Sequence, residues 1–259
     1  MRDGQAGTPT APVAQTNVQL YGQLRRAGWS EGDLIRLRGA YELATVLFSG
    51  ALRPSGKTFV SHLVGTASVV ASLGGRPDLV LAGLLHAAYA FGEWGDGSRR
   101  VTPRRREELR RVAGDGAEQL VAGYTDLPWN ASALADLRSR ADGLGPAERD
   151  LVLLRLANEV EDHLDEAMGY CGTPSDEMHR PARLGEMAGL ADALGLAPLA
   201  VALRGAAAAA PAWAEVPSGL RRVARASASV PPRSHWRRPV PAARRLVGGL
   251  RRRLRREAR

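Results

Sequence analysis

The sequence predicts an all-α protein, a helical body set between a short leader and a basic tail. Three observations carry that expectation. From residue 16 to about 205 nearly every segment repeats its apolar residues at helical spacing, and no run alternates as a half-buried strand does. Glycines, prolines and Ser/Thr/Asn residues fall where those segments begin and end. Charge is segregated as well. Residues 221–259 hold 14 arginines and one acid, Glu257, a net of +13, whereas residues 1–220 hold 22 basic and 26 acidic residues, a net of −4. The overall charge of +9 therefore belongs to the tail, and the body is not read as a nucleic-acid binder from its isoelectric point.

The elements follow in order. Residues 1–15 are small, polar and aperiodic, the composition of a disordered leader. Asn17–Trp29 reads as a short helix ended near Gly28. Ser30-Glu-Gly-Asp33 resembles a capping box opening a second helix with Leu34, Leu37, Tyr41, Ala44, Leu47 and Phe48 at apolar positions. After a Gly50–Gly56 loop, Phe59–Leu73 places Leu63, Thr66, Ala67, Val70 and Leu73 on one side. Pro77–Phe91 is apolar on every face and is the expected buried central helix. A helix opened by Thr102-Pro103 and closed by Gly114 follows. Asp115–Tyr124, Asn130–Ala141, Pro146–Met168, Pro181–Leu194 and Ala197–Ala210 complete a body over 16–210. Residues 211–243 have linker composition, and 244–259 read as a basic tail with Leu246, Val247, Leu250 and Leu254 at helical spacing.

Composition bounds the function. Hydrophobic content of 44% excludes a wholly disordered chain, and a single cysteine, Cys171, excludes an intrachain disulfide and any multi-cysteine zinc or iron–sulfur centre. Cys171 has no histidine near it in sequence, so nothing marks it as a nucleophile. No apolar stretch reaches the roughly 18–20 residues of a membrane span, and the first residues lack a signal-peptide core, so a cytoplasmic protein is expected.

Of five histidines, His62 and His86 sit inside helices expected to be buried, where an imidazole needs partners for its ring nitrogens. Two such rings on adjacent helices suit one divalent metal; the alternative is a pair of hydrogen-bonded structural histidines. His179 and His235 lie in polar, Pro-containing surroundings and are expected to be exposed. The run Arg53-Pro-Ser-Gly-Lys-Thr-Phe-Val-Ser-His62, with Leu81-Ala-Gly-Leu-Leu-His86 after it, resembles the HD-domain superfamily of metal-dependent phosphohydrolases. Within that superfamily it is most similar to the hydrolase domain of Rel/SpoT-type nucleotide enzymes. Leu156-Ala-Asn158-Glu-Val-Glu-Asp162 resembles that domain's last conserved helix, so the likeness covers about residues 40–168.

The resemblance implies an HD-domain-like bundle in which His62 and His86 stand at metal-binding histidines. It also places Ala87 and Asn158 where metal-binding aspartates belong, and Ala90 and Phe91 where a catalytic Glu-Asp pair belongs. Two imidazoles and an amide hold a divalent ion such as Mn, Fe or Zn weakly, so the parent hydrolysis is expected to be lost or altered. A rebuilt site would draw on Tyr89, one turn after His86, with Glu93 from the next loop as its acid. The same resemblance makes Arg53 a ligand contact, with Ser55 and Lys57 beside it and Asn158 and Asp162 on the later helix. For Tyr89 the competing use is a core tyrosine; for Glu93 and Asp162 it is a solvated acid.

Other signals are weaker. Gly56-Lys57-Thr58 lacks the glycine spacing and preceding strand of a phosphate-binding loop. Glu161-Asp162-His163 with Asp165-Glu166 reads as an acidic, solvated helix face on which Asp162 and Glu166 lie together. The tail is a disordered extension, or a contact to anionic membrane or nucleic acid. Two functions of different class result: a small-molecule pocket around His62 and His86 for a phosphorylated or nucleotide compound, or a non-catalytic scaffold localised by its tail. An active hydrolase with a rebuilt metal site is the further alternative.

Overall fold

A computed structural model of the chain describes residues 13–95, 101–171, 181–221 and 228–229. His179, His235, the tail 244–259 and most of the expected linker lie outside the described residues.

The described residues form an all-α bundle, and the local chemistry accounts for the helix starts. Helix α1 (Asn17–Arg26) begins at a reciprocal box between Thr16 and Gln19. Helix α2 (Glu31–Phe48) is capped by Ser30, α3 (Phe59–Ser72) by Thr58 and α6 (Pro103–Ala113) by Thr102; α8 (Ala131–Ser139) is capped by Asn130. Helices α4 (Pro77–Leu85), α9 (Pro146–Asp162) and α10 (Pro181–Ala193) open on proline. The set is completed by α5 (Ala88–Phe91), α7 (Asp115–Asp126) and α11 (Ala197–Ala209). Extended structure among the described residues amounts to Ala51–Leu52 and Ala228–Ser229.

Helix α3 is the axis of the bundle. It packs on α4 and α9, α7 closes against both of those, and α10 pairs with α11 beside α9. Leu63, Val64, Ala67 and Val70 of α3 meet a core containing Leu81, Leu84, Leu85, Leu154, Leu156 and Ala157. The crossing of α3 with α9 depends on Gly65, since a Cβ there would stand 2.6 Å from Glu161 Cγ.

Four expected boundaries move. The helix expected over Pro77–Phe91 breaks at His86-Ala87, where His86 turns its ring back on the last turn of α4. The helix expected to reach Met168 stops at Asp162. A 3-10 segment, Leu164–Tyr170, follows with Glu166 at φ 56°, so Asp162 and Glu166 share no helix face. At the leader's end Ala14 is buried and its amide donates to Ser68 Oγ at 2.9 Å. Residues 211–221, expected as linker, instead fold on the body. Trp213 of the 3-10 segment Ala210–Glu215 stacks on His163 at 5.4 Å, and the Arg221 guanidinium donates to the Trp213 and Val216 carbonyls.

Candidate functional site

The site gathers at the C-terminal end of α9. Residues Leu154, Ala157 and Glu161 lie on one stripe of that helix, so a stripe that begins apolar ends in an acid buried against α3. Glu161 accepts a hydrogen bond from His62 Nδ1 on one carboxylate oxygen and is ion-paired to the Lys57 ammonium on the other. Asp162 pairs with the Arg53 guanidinium, lies 3.4 Å from His62 Nδ1, and accepts from Asn158 Nδ2 at 3.3 Å.

Both cations come from one turn. The Arg53 amide donates to the Lys57 carbonyl at 2.8 Å and the Gly56 amide to the Arg53 carbonyl at 2.9 Å, with Gly56 at φ 93°. Burial works against the charge of Arg53, but Asp162 more than offsets it and raises the guanidinium pKa. Ser55 supports the turn, its Oγ facing the Lys57 amide at 3.5 Å.

His62 is fully buried, and its Nε2 has no hydrogen-bond partner. The His86 ring lies edge-on to it, centroids 5.3 Å apart. Since a carbonyl only accepts, His86 Nδ1 carries the proton it gives to Gly83 O at 2.8 Å, which leaves a lone pair on Nε2. Burial, with the neighbouring His62, depresses the His86 pKa to about 3, so the ring is neutral at physiological pH.

On the other side of His86 a cavity of about 400 Å³ opens, lined by Arg53, Asn158 and Asp162 together with Tyr124, Trp129, Arg155 and Glu159. The Arg155 guanidinium lies over the Tyr124 and Trp129 rings, 5.2 and 5.4 Å from their centroids, and donates to the Tyr124 hydroxyl at 2.7 Å. Burial pushes the Tyr124 phenol up to about 12, so it stays neutral. Trp129 Nε1 is buried and has no hydrogen-bond partner.

The sequence expectations meet this geometry unevenly. Arg53, His86, Asn158 and Asp162 line the cavity; His62 and Lys57 belong to the buried cluster behind it. Tyr89 points away, its hydroxyl donating to Glu118 Oε1 at 2.9 Å within a separate cluster. Glu93 is exposed and accepts from the Gly95 amide at 2.8 Å, so it supplies no carboxylate to the histidines. The expected solvated acidic face is also corrected: Glu161, Asp162 and His163 are all buried, because α9 ends inside the bundle. With Ala87 and Asn158 at the positions of the metal-binding aspartates, the carboxylates that reach His62 are instead Glu161 and Asp162, about one turn after Asn158 on α9. Sequence reasoning missed Glu161, Tyr124, Trp129 and Arg155 as site residues. For Glu161 the signal was an acid in register with an apolar stripe.

His62, Glu161 and Asp162 bring three ligand-type atoms within 4.8 Å, a donor set that suits a divalent ion by type. Its electrostatics do not. Both carboxylates already hold a cation, so the two acids and two bases balance, and a further double charge would be left unneutralised in a buried place. As placed, the residues do not fit a resident divalent ion.

Residues 46–128 match the family model of a domain of unknown function, DUF6817. The chain is 33% identical over 94 residues to a GTP pyrophosphokinase of Streptomyces coelicolor, and 32% identical over 94 residues to one of Streptomyces antibioticus. In each case the likeness covers 36% of this chain and 10% of the relative. Among the described residues no helix is long and apolar enough to cross a membrane.

Proposed function

We propose that the chain is a divergent HD-like protein whose cavity binds a phosphorylated small molecule of nucleotide type, without the metal-dependent hydrolysis of its parent superfamily. One observation carries the reading: the carboxylates beside His62 are bound by Lys57 and Arg53, while the cavity in front offers guanidinium groups, aromatic faces and a neutral imidazole. Arg53 and Arg155, paired with Asp162 and Glu159 respectively, turn their remaining N–H groups to an anionic ligand, and Trp129 Nε1 is a buried donor awaiting an acceptor. The Tyr124 and Trp129 rings provide flat surface for a base. His86 Nε2 accepts a hydrogen bond from the ligand; with its pKa about 3 it is a weak base at neutral pH, which disfavours proton abstraction as its role. The name of the relatives, which concerns GTP, makes guanosine phosphates the first probes.

The test is calorimetric titration of chelator-treated protein with guanosine and adenosine mono-, di- and triphosphates, beside an assay for phosphate and pyrophosphate release with Mn²⁺. The expected result is binding in the presence of chelator, weakened at least about tenfold by Arg155→Ala as a charge-assisted hydrogen bond is lost. Release that depends on Mn²⁺ would instead make the protein a rebuilt metal hydrolase. Absence of binding to the whole panel, with His62→Ala and His86→Ala affecting stability alone, would make it a scaffold.

A further inference from the structure

We infer that Lys57 and Arg53 are built-in replacements for a divalent ion, and that removing the Lys57 charge turns the His62 cluster into a metal site. The inference rests on the reading above that the cavity works without metal. Buried charges persist only when paired, and here the pairing is complete within the chain: Lys57 on Glu161, Arg53 on Asp162, with the His62 Nδ1–H on the second oxygen of Glu161.

The choice of base supports a specific role. The chain has 36 basic residues, and Lys57 is the one lysine among them. An ammonium is a compact point charge, closer to a metal ion than a planar guanidinium is, and it is seated where Gly65 leaves room for the Glu161 carboxylate on α3. Its turn, closed by the Arg53–Lys57 backbone hydrogen bond, lays both cations on consecutive acids of α9. Without Lys57 the cluster carries one uncompensated negative charge, a free carboxylate oxygen and an imidazole, all within ligand distance of one another. A divalent cation then neutralises what the ammonium neutralised.

The experiment uses the full chain, treated with chelator, dialysed and titrated with MnCl₂ or ZnCl₂, with bound metal measured by elemental analysis. Lys57→Met keeps the aliphatic stem without the charge, and Lys57→Gln keeps a donor to Glu161 in case the first variant folds poorly. Wild type is expected to take up no stoichiometric metal, and a folded Lys57 variant about one equivalent, at least about tenfold tighter. Adding Glu161→Gln should abolish that uptake. Stoichiometric metal in the wild type, removed by Glu161→Gln, would overturn the inference, as would a Lys57 variant that is folded by circular dichroism and binds none. Nucleotide binding by wild type in chelator is measured separately, so the binding proposal fails or stands on its own result.

Discussion

Two buried carboxylate clusters flank the α4–α5 break, and they are built to different standards. Glu118 on α7 is satisfied at every oxygen. Its Oε1 accepts from the Tyr89 hydroxyl and from Arg106 Nε at 2.6 Å, and its Oε2 accepts from Arg106 Nη2 at 2.9 Å and Arg110 Nε at 3.2 Å. The cluster at the end of α9 pairs its charges as fully, but it leaves His62 Nε2 buried without a partner, and it adjoins a cavity in which Trp129 Nε1 is also unpaired. Unmet hydrogen-bond capacity is expensive in a core, so its concentration on one side of the break separates a site from a brace.

The largest effect expected of this contrast is on stability at the brace. Glu118→Ala removes the buried acceptor shared by the Tyr89 hydroxyl, Arg106 and Arg110, at a cost of about 3 kcal/mol. Denaturant titration at neutral pH measures it, with ligand binding in the cavity unchanged. A loss below about 1 kcal/mol would erase the distinction between the clusters.

Acid should sharpen the same contrast, because the two clusters respond over different ranges. In the unfolded chain His86 titrates near 6.5, whereas the folded protein holds it neutral down to about 3, chiefly through burial. The unfolded state therefore takes up a proton first. The stabilisation from neutral His86 is complete above about pH 6.5 and is lost as pH falls toward 3, by up to about 1.4 kcal/mol per pH unit. Glu118 has a lowered pKa: burial alone would raise it, but Arg106 and Tyr89 outweigh burial, so its contribution fades below the ordinary carboxylate range. Unfolding free energies at pH 7, 5.5 and 4.5 should fall steadily in wild type and flatten in His86→Gln. Equal slopes for the two proteins would show that another group sets the acid limit.

How much of this was readable in the sequence depends on the range of the forces involved. Helix starts were legible at Ser30 and Thr102, because a cap is settled within three residues. His62 and His86 were legible because imidazoles stand out on apolar helices. Glu161 was not, because what makes its burial tolerable is Lys57, 104 residues away. Tyr89 misled for the same reason. One turn from His86 in sequence, it faces Glu118 because the chain breaks helix between His86 and Ala88 and redirects α5. Arg155, Tyr124 and Trp129 look like an ordinary surface arginine and two scattered aromatics until α7 and α9 pack together.

The smallest expected effect concerns the acid that sequence placed beside the histidines. Glu93 is exposed, its carboxylate holds the amide of Gly95 two residues on, and its own amide donates to the Leu47 carbonyl at 2.9 Å. The substitution Glu93→Ala keeps that backbone bond and removes a local, solvated one, so stability should change by less than about 0.5 kcal/mol. Nucleotide affinity should stay within about twofold, because the cavity draws its charged groups from the Arg53 turn and α9. A tenfold loss of affinity in Glu93→Ala would mean that the loop after α5 reaches the ligand. The boundary between brace and site would then have to be redrawn to include it.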